Sequence, residues 1–183
     1  MTNTEHTRVM LDLETLGTDP GCAILSIGAV RFDSDGPTDD EFHKSISLAS
    51  CTDAGLEIDV GTLEWWLGQE SQAREVLTGG DRLDEVLYRF SDWFQSPDAD
   101  EIWAFSPSFD CAILEAAYEA VDYRVPWSYR DERCARTLAA LPGAVRTERE
   151  ADETHHDALD DARWQARNVS ATLRTISDSG GEV

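Results

Sequence analysis

The sequence predicts an α/β fold, a central mixed β-sheet flanked by α-helices. Three observations carry that expectation. The first fifty residues hold three strand-like runs separated by turn signals, later segments repeat apolar residues at helical spacing, and a strand, a turn and a helix follow one another among those helices.

The first strand lies in VMLDLETLG, residues 9–17. Alternation along a strand puts Val9, Leu11 and Leu13 on one face and leaves Asp12 and Glu14 together on the other. Turn signals in GTDPG lead into CAILSIGAVRFD, a mostly apolar, β-rich run, and DSDGPTDDE leads into EFHKSISL, which alternates. These make three successive antiparallel strands. DVGTLEWWLGQESQAREVLTGG has helical spacing through Leu63, Trp66 and Leu67 and ends in paired glycines. RLDEVLYRFSDWF is a second helix with the apolar stripe Leu83, Val86, Leu87, Phe90 and Phe94. EIWAFSPSFDCAILEAAYEAV reads as a β-α unit whose strand joins the sheet parallel to the first. VPWSYRDERCARTLAALPG reads as a short strand entering a short helix. HHDALDDARWQARNVSATLRTI forms a long terminal helix with Ala162, Ala166, Val169, Leu173 and Ile176 inward, and SDSGGEV a frayed tail.

At 183 residues and 41% hydrophobic content, the chain suits one domain with a sizeable core. No stretch approaches the roughly 18 apolar residues of a membrane span, and MTNTEHTR lacks the apolar region of a secretory signal, so a cytoplasmic location is expected. Cys22, Cys51, Cys111 and Cys134 are scattered without metal-finger spacing, which favours reduced, mostly buried thiols. The 37 acidic and 15 basic residues give a formal net charge of −22, and Lys44 is the only lysine. Such a chain repels nucleic acid in dilute salt. Scarce lysine beside many arginines resembles proteins of salt-loving organisms. At about 1 M salt the Debye length falls to about 3 Å, so only close contacts and bound metal ions then matter.

Acids recur where apolar faces begin. Stepping back one turn from Ile113 and Leu114 reaches Asp110, a position that a helix N-cap would also occupy. In the terminal helix, at about 100° per residue, Asp161 borders the inward face and Asp160 points away from it, which makes Asp161 the better inward ligand. His156 is five positions earlier and would lie about 140° from Asp161 in one unbroken helix, so it belongs on the preceding loop. There an imidazole with an unperturbed pKa of about 6.5 can serve as a general base.

DLET, SFD and HHDALDDA, with His156-x-Ala158-x-x-Asp161, stand in the chain order of the DEDDh exonucleases. From about residue 8 to 176 the sequence resembles the DnaQ-like 3'-5' exonuclease superfamily. Within it, TLEWWLGQESQAR and RCARTL are similar to the small exoribonuclease-like branch, which also resembles the nuclease part of exodeoxyribonuclease VIII. The usual second motif carries Asn before its Phe-Asp pair, whereas SPSFD has small residues there.

The resemblance implies a ribonuclease H-like fold and a single exonuclease domain over residues 1–183. It implies two ions, Mg²⁺ or Mn²⁺, held by Asp12, Glu14, Asp110 and Asp161, a role that suits hard carboxylate oxygens. His156 would take the proton of the attacking water, and nucleoside 5'-monophosphates would leave from the 3' ends of single-stranded RNA or DNA. In enzymes of this type the segment at Thr15 and Leu16 lines the terminal nucleotide, with Trp66 and Gln69 adding stacking and hydrogen bonding. One of Trp65 and Trp66 is expected in the core, and Arg133 and Arg136 are candidates for phosphate. The sequence leaves a homodimer open. The rival reading is a catalytically silent nucleic-acid-binding module of the same fold. An acidic cation-binding protein ranks last, for want of a Ca²⁺ loop.

Overall fold

The computed structural model describes residues 7–69, 73–97, 99–151 and 153–179. The polar start and the end of the expected frayed tail lie outside them, as do three residues of the long helix expected before the paired glycines.

β1 (Arg8–Thr15), β2 (Ile24–Phe32) and β3 (Pro37–Ser45) pair antiparallel, and β4 (Glu101–Ala104) and β5 (Glu132–Cys134) extend the sheet in parallel from β1. The order is β3-β2-β1-β4-β5, so the acid-bearing strand is central. β2 is buried along its whole length because helices cover both faces, which is why it reads as one apolar run. β3 is an edge strand that starts at Pro37, inside the stretch expected as a turn. Thr38, Asp39 and Asp40 are exposed there, so no apolar alternation marks its beginning, and charge on an edge discourages pairing with other chains.

α1 (Leu48–Asp53), α2 (Val60–Leu67), α3 (Leu83–Phe94) and α4 (Asp110–Ala120) belong to the first face, where Val9, Leu11 and Leu13 meet Phe90, Ile113 and Leu114. On the opposite face, Met10 and Val30 pack with Ala162, Ala166 and Val169 of α6 (Ala158–Ser179), joined by Ala135 of α5 (Ala135–Ala139). The expected stripe of α3 is the buried one. The helix expected from residue 59 onward is shorter: Asp59 caps α2 by accepting from the Thr62 N–H at 2.7 Å, and α2 stops before Gly68, with a separate 3-10 turn at Ala73–Leu77. Ile176, expected inward, is 41% exposed because the end of α6 runs past the second core. Cys22, Cys51 and Cys111 are buried free thiols, and Cys134 is half-buried and free.

One glycine sets the height of α6 above the sheet. A Cβ at Gly28 would stand 2.1 Å from the Ala158 carbonyl carbon and 2.2 Å from the Leu159 nitrogen. Gly28 is the cross-strand partner of Asp12. The first turn of α6 therefore rests on the sheet beside the first acid.

Candidate active site

Four carboxylates arrive from three elements. Asp12 and Glu14 rise from the α6 face of β1, Asp110 is the first residue of α4, and Asp161 stands in the first turn of α6. Asp110 is 4% exposed, and its N–H donates to the Ser106 carbonyl at 3.0 Å, which fixes the turn that delivers it. Asp12, Asp110 and Asp161 line one cavity, and Glu14, His156 and Asp161 offer ligand atoms within 4.8 Å of one another.

Burial raises the proton affinity of all four, and crowding adds to it at Asp12 and Glu14. Asp12 is held well above the usual carboxylate range by burial first, then by Asp110, Glu14 and Asp161. Burial pushes Glu14 up to about 8, with Asp161, Asp157 and Asp110 adding repulsion. Asp110 is pushed up to about 7 by burial, against backbone hydrogen bonds and the Arg136 charge, which pull it down. Asp161 is raised by burial and drawn back by Arg149, His156 and His155. Buried hard-oxygen donors that repel one another fit divalent cations.

The loop position of His156 follows from the cap of α6. Asp157 Oδ1 accepts from the Leu159 and Asp160 N–H groups, both at 3.1 Å, so the helix begins after His156. His156 takes a left-handed backbone, φ 62°, and its ring stands edge-on to Trp65 at 4.9 Å and Trp66 at 6.1 Å. That turn brings it to Asp161. Asp160 faces elsewhere, accepting from the Thr154 N–H at 2.9 Å and pairing with Arg163. His155 is exposed.

Two of the expected nucleotide contacts, Trp66 and Leu16, are core residues. Trp66 is 1% exposed and its indole donates to the Thr15 carbonyl at 2.9 Å, so it is a core residue without a face for stacking. Leu16 is fully buried, and the Thr15 hydroxyl is turned to the Gly17 carbonyl at 2.7 Å. Gln69 donates to the Trp65 carbonyl. Trp65, 46% exposed, is the open aromatic of the pair, and it lines a second hollow with Glu14, Thr15 and Phe109. Arg133 is paired with Glu101 and donates to the Arg130 and Glu132 carbonyls, whereas Arg136 lines the cavity.

Two residues of the site escaped the sequence reading. Gln165 donates to Asp12 Oδ1 at 2.7 Å; it stands one turn after Asp161 on the inward side, so its i, i+4 spacing was an available signal. Arg149 pairs with Asp161 Oδ1 at 2.5 Å and lies 4.6 Å over the Trp164 ring. It comes from RTEREADE, a charge-rich loop without periodicity, and nothing local marks it.

A central strand carrying two acids, met by acids from α4 and α6 on a sheet of this order, is the arrangement that the resemblance to the DnaQ-like 3'-5' exonucleases leads one to expect, and the fold is of that ribonuclease H-like class. More narrowly, the chain belongs to the 3'-5' exoribonuclease Rv2179c-like domain family, whose sequence model matches residues 7–173. E. coli exonuclease I, solved in complex with a 5cy-dT13 oligonucleotide, aligns with a TM-score of 0.66 at 18% identity, over 96% of this chain and 41% of that one. Cell-death related nuclease 4 (CRN-4) aligns with a TM-score of 0.56 at 15% identity, over 96% of this chain and 65% of that one. The chain thus spans about two fifths of the first and just under two thirds of the second, and the likeness at these identities is one of fold. No curated protein matches it.

Proposed function

We propose that the chain removes nucleoside 5'-monophosphates stepwise from the 3' end of single-stranded RNA. In this reading Asp12, Glu14, Asp110 and Asp161 hold two divalent ions, Mg²⁺ or Mn²⁺, and His156 is the general base. The observation that carries it is the meeting of the Glu14, His156 and Asp161 ligand atoms within 4.8 Å, beside the buried Asp110 and the half-buried Asp12. Ribose is favoured by the description of the family, and a single strand by the oligonucleotide bound to exonuclease I.

Divalent ions held by these four carboxylates would supply an attacking water of lowered pKa and a counter-charge for the leaving 3' oxygen. The protein supplies the rest. Gln165 fixes the rotamer of Asp12, Arg149 fixes that of Asp161, and the cap at Asp157 holds His156 where its imidazole accepts the water's proton. The acidic exterior and the single lysine favour work at high salt, where distributed repulsion of the strand is screened. No described helix is long and apolar enough to cross a membrane.

The test is 3'-end-protected and 3'-free RNA, single-stranded DNA and duplexes incubated with Mg²⁺, Mn²⁺ or EDTA over a salt series. Stepwise shortening of 3'-free RNA to 5'-monophosphates, abolished by EDTA, is expected. Digestion that survives EDTA, or none with either ion, would overturn the reading.

A further inference from the structure

Resting on that exonuclease reading, we propose that the cavity beside the acids is the subsite for the nucleotide upstream of the scissile bond, with its phosphate received by Arg136 and Arg146. The cavity holds about 520 Å³, within the roughly 300 to 1,000 Å³ of small-ligand sites. Asp12, Asp110 and Asp161 line it together with residues of α5, α6 and the loop before α6. The hollow of Trp65 and Thr15 opens beside Glu14, and Phe109 lines both spaces. A strand lying across the acids thus has one hollow for its terminal nucleoside and another for the nucleotide before it.

The lining matches the two chemistries of a nucleotide. Leu138, Val145 and Val169 offer apolar surface for a base. Arg136, Arg146 and Arg149 bring three of the chain's 15 basic residues to the same space. Arg136 is held 5.1 Å over the Phe105 ring and Arg146 5.3 Å over the Trp164 ring, and neither forms an ion pair among the described residues. Arg124 and Arg130 likewise form no ion pair among the described residues, but they do not line the cavity, whereas Arg163 is taken by Glu41 and Arg167 by Glu153. Arg149, though paired with Asp161, keeps a buried Nη1 without a hydrogen-bond partner. Guanidinium groups that are aligned by rings and left without a carboxylate retain their forked donors for phosphate. Arg146 itself is exposed, so it contributes little to the core.

The experiment compares two substrates in the metal-loaded protein. One is a short RNA. The other is a nucleoside 5'-(p-nitrophenyl) phosphate, which keeps the terminal nucleoside and the scissile phosphate but has nitrophenolate in place of the upstream nucleotide. R146A and R146E should lower the ratio of kcat/KM for RNA to that for the ester by about tenfold or more, through KM for RNA. A144F, which fills the cavity and leaves every charge in place, should lower the same ratio. Equal loss on both substrates, or none on either, overturns the subsite while leaving the exonuclease intact; failure of the parental protein on both overturns the exonuclease. Binding of a labelled trinucleotide in Ca²⁺ buffer reads the subsite without turnover: R146E should weaken it about tenfold, and equal affinity refutes the assignment.

Discussion

Without divalent ions, the chain should lose stability as pH rises from 5 to 9, and Glu14 gives the scale. Its proton affinity rises from the ordinary 4.5 to about 8 in the folded state. The folded chain therefore binds this proton more tightly than the unfolded one, so the stabilisation is complete below about pH 4.5 and is lost as pH climbs through about 8. At about 1.36 kcal/mol per pH unit the loss is roughly 5 kcal/mol, against a total of roughly 5 to 15 kcal/mol for a typical domain. For a chain of this size that is a fall in Tm of about 10 to 20 °C. The assay is differential scanning calorimetry in EDTA at pH 5, 7 and 9, in about 2 M KCl to screen the exterior, repeated with Mn²⁺ and with Glu14→Gln. Manganese should flatten the slope by neutralising the acids, and Glu14→Gln should remove much of it, since a neutral amide has no proton to lose. A Tm in EDTA that holds or rises toward pH 9, or a slope unchanged in Glu14→Gln, would refute the argument.

Two more changes separate chemistry from architecture. His156→Ala should cut kcat by about 10² to 10⁴ while Mn²⁺ affinity, measured by calorimetry, stays within a few-fold of the parent; digestion at the parental rate would show that another group takes the proton. Gly28→Ala should destabilise the fold by about 3 kcal/mol or more in urea unfolding, because the added methyl would stand 2.1 Å from the Ala158 backbone and must lift α6 from the sheet; an unchanged midpoint would mean that α6 rides more loosely than its contacts imply.

The sequence disclosed those parts of the site that depend on local periodicity. Alternation placed Asp12 and Glu14 on one face of β1, and helical phase chose Asp161 over Asp160, whose carboxylate indeed turns to Thr154 and Arg163. The stripe of α3 was legible for the same reason. What stayed hidden depends on approach between distant segments. Gly28 looks like any strand glycine until α6 is laid across it, and Arg149 is one charge among many until its loop folds back on Asp161. Trp65 and Trp66 illustrate the limit: adjacent residues on a helix differ by about 100°, enough to bury one ring and expose the other, and only the position of Thr15 decides which.

The chain carries acids everywhere, yet the inner and outer ones meet opposite physical conditions. Asp39 and Asp40 on β3 face water, where two charges about 4 Å apart interact by about 1 kcal/mol. In the inner set Glu14 and Asp110 are buried and Asp12 and Asp161 half-buried, and at an effective dielectric constant near 20 the same pair interacts by about 4 kcal/mol. Repulsion among Asp12, Glu14, Asp110 and Asp161 is therefore felt several times more strongly than repulsion across the surface, and so is the relief that a dication brings. A salt solution that screens the exterior reaches the inner set much less. In the function proposed above, high ionic strength would screen the exterior charge that opposes the strand and leave in place the inner charge that would hold the metal.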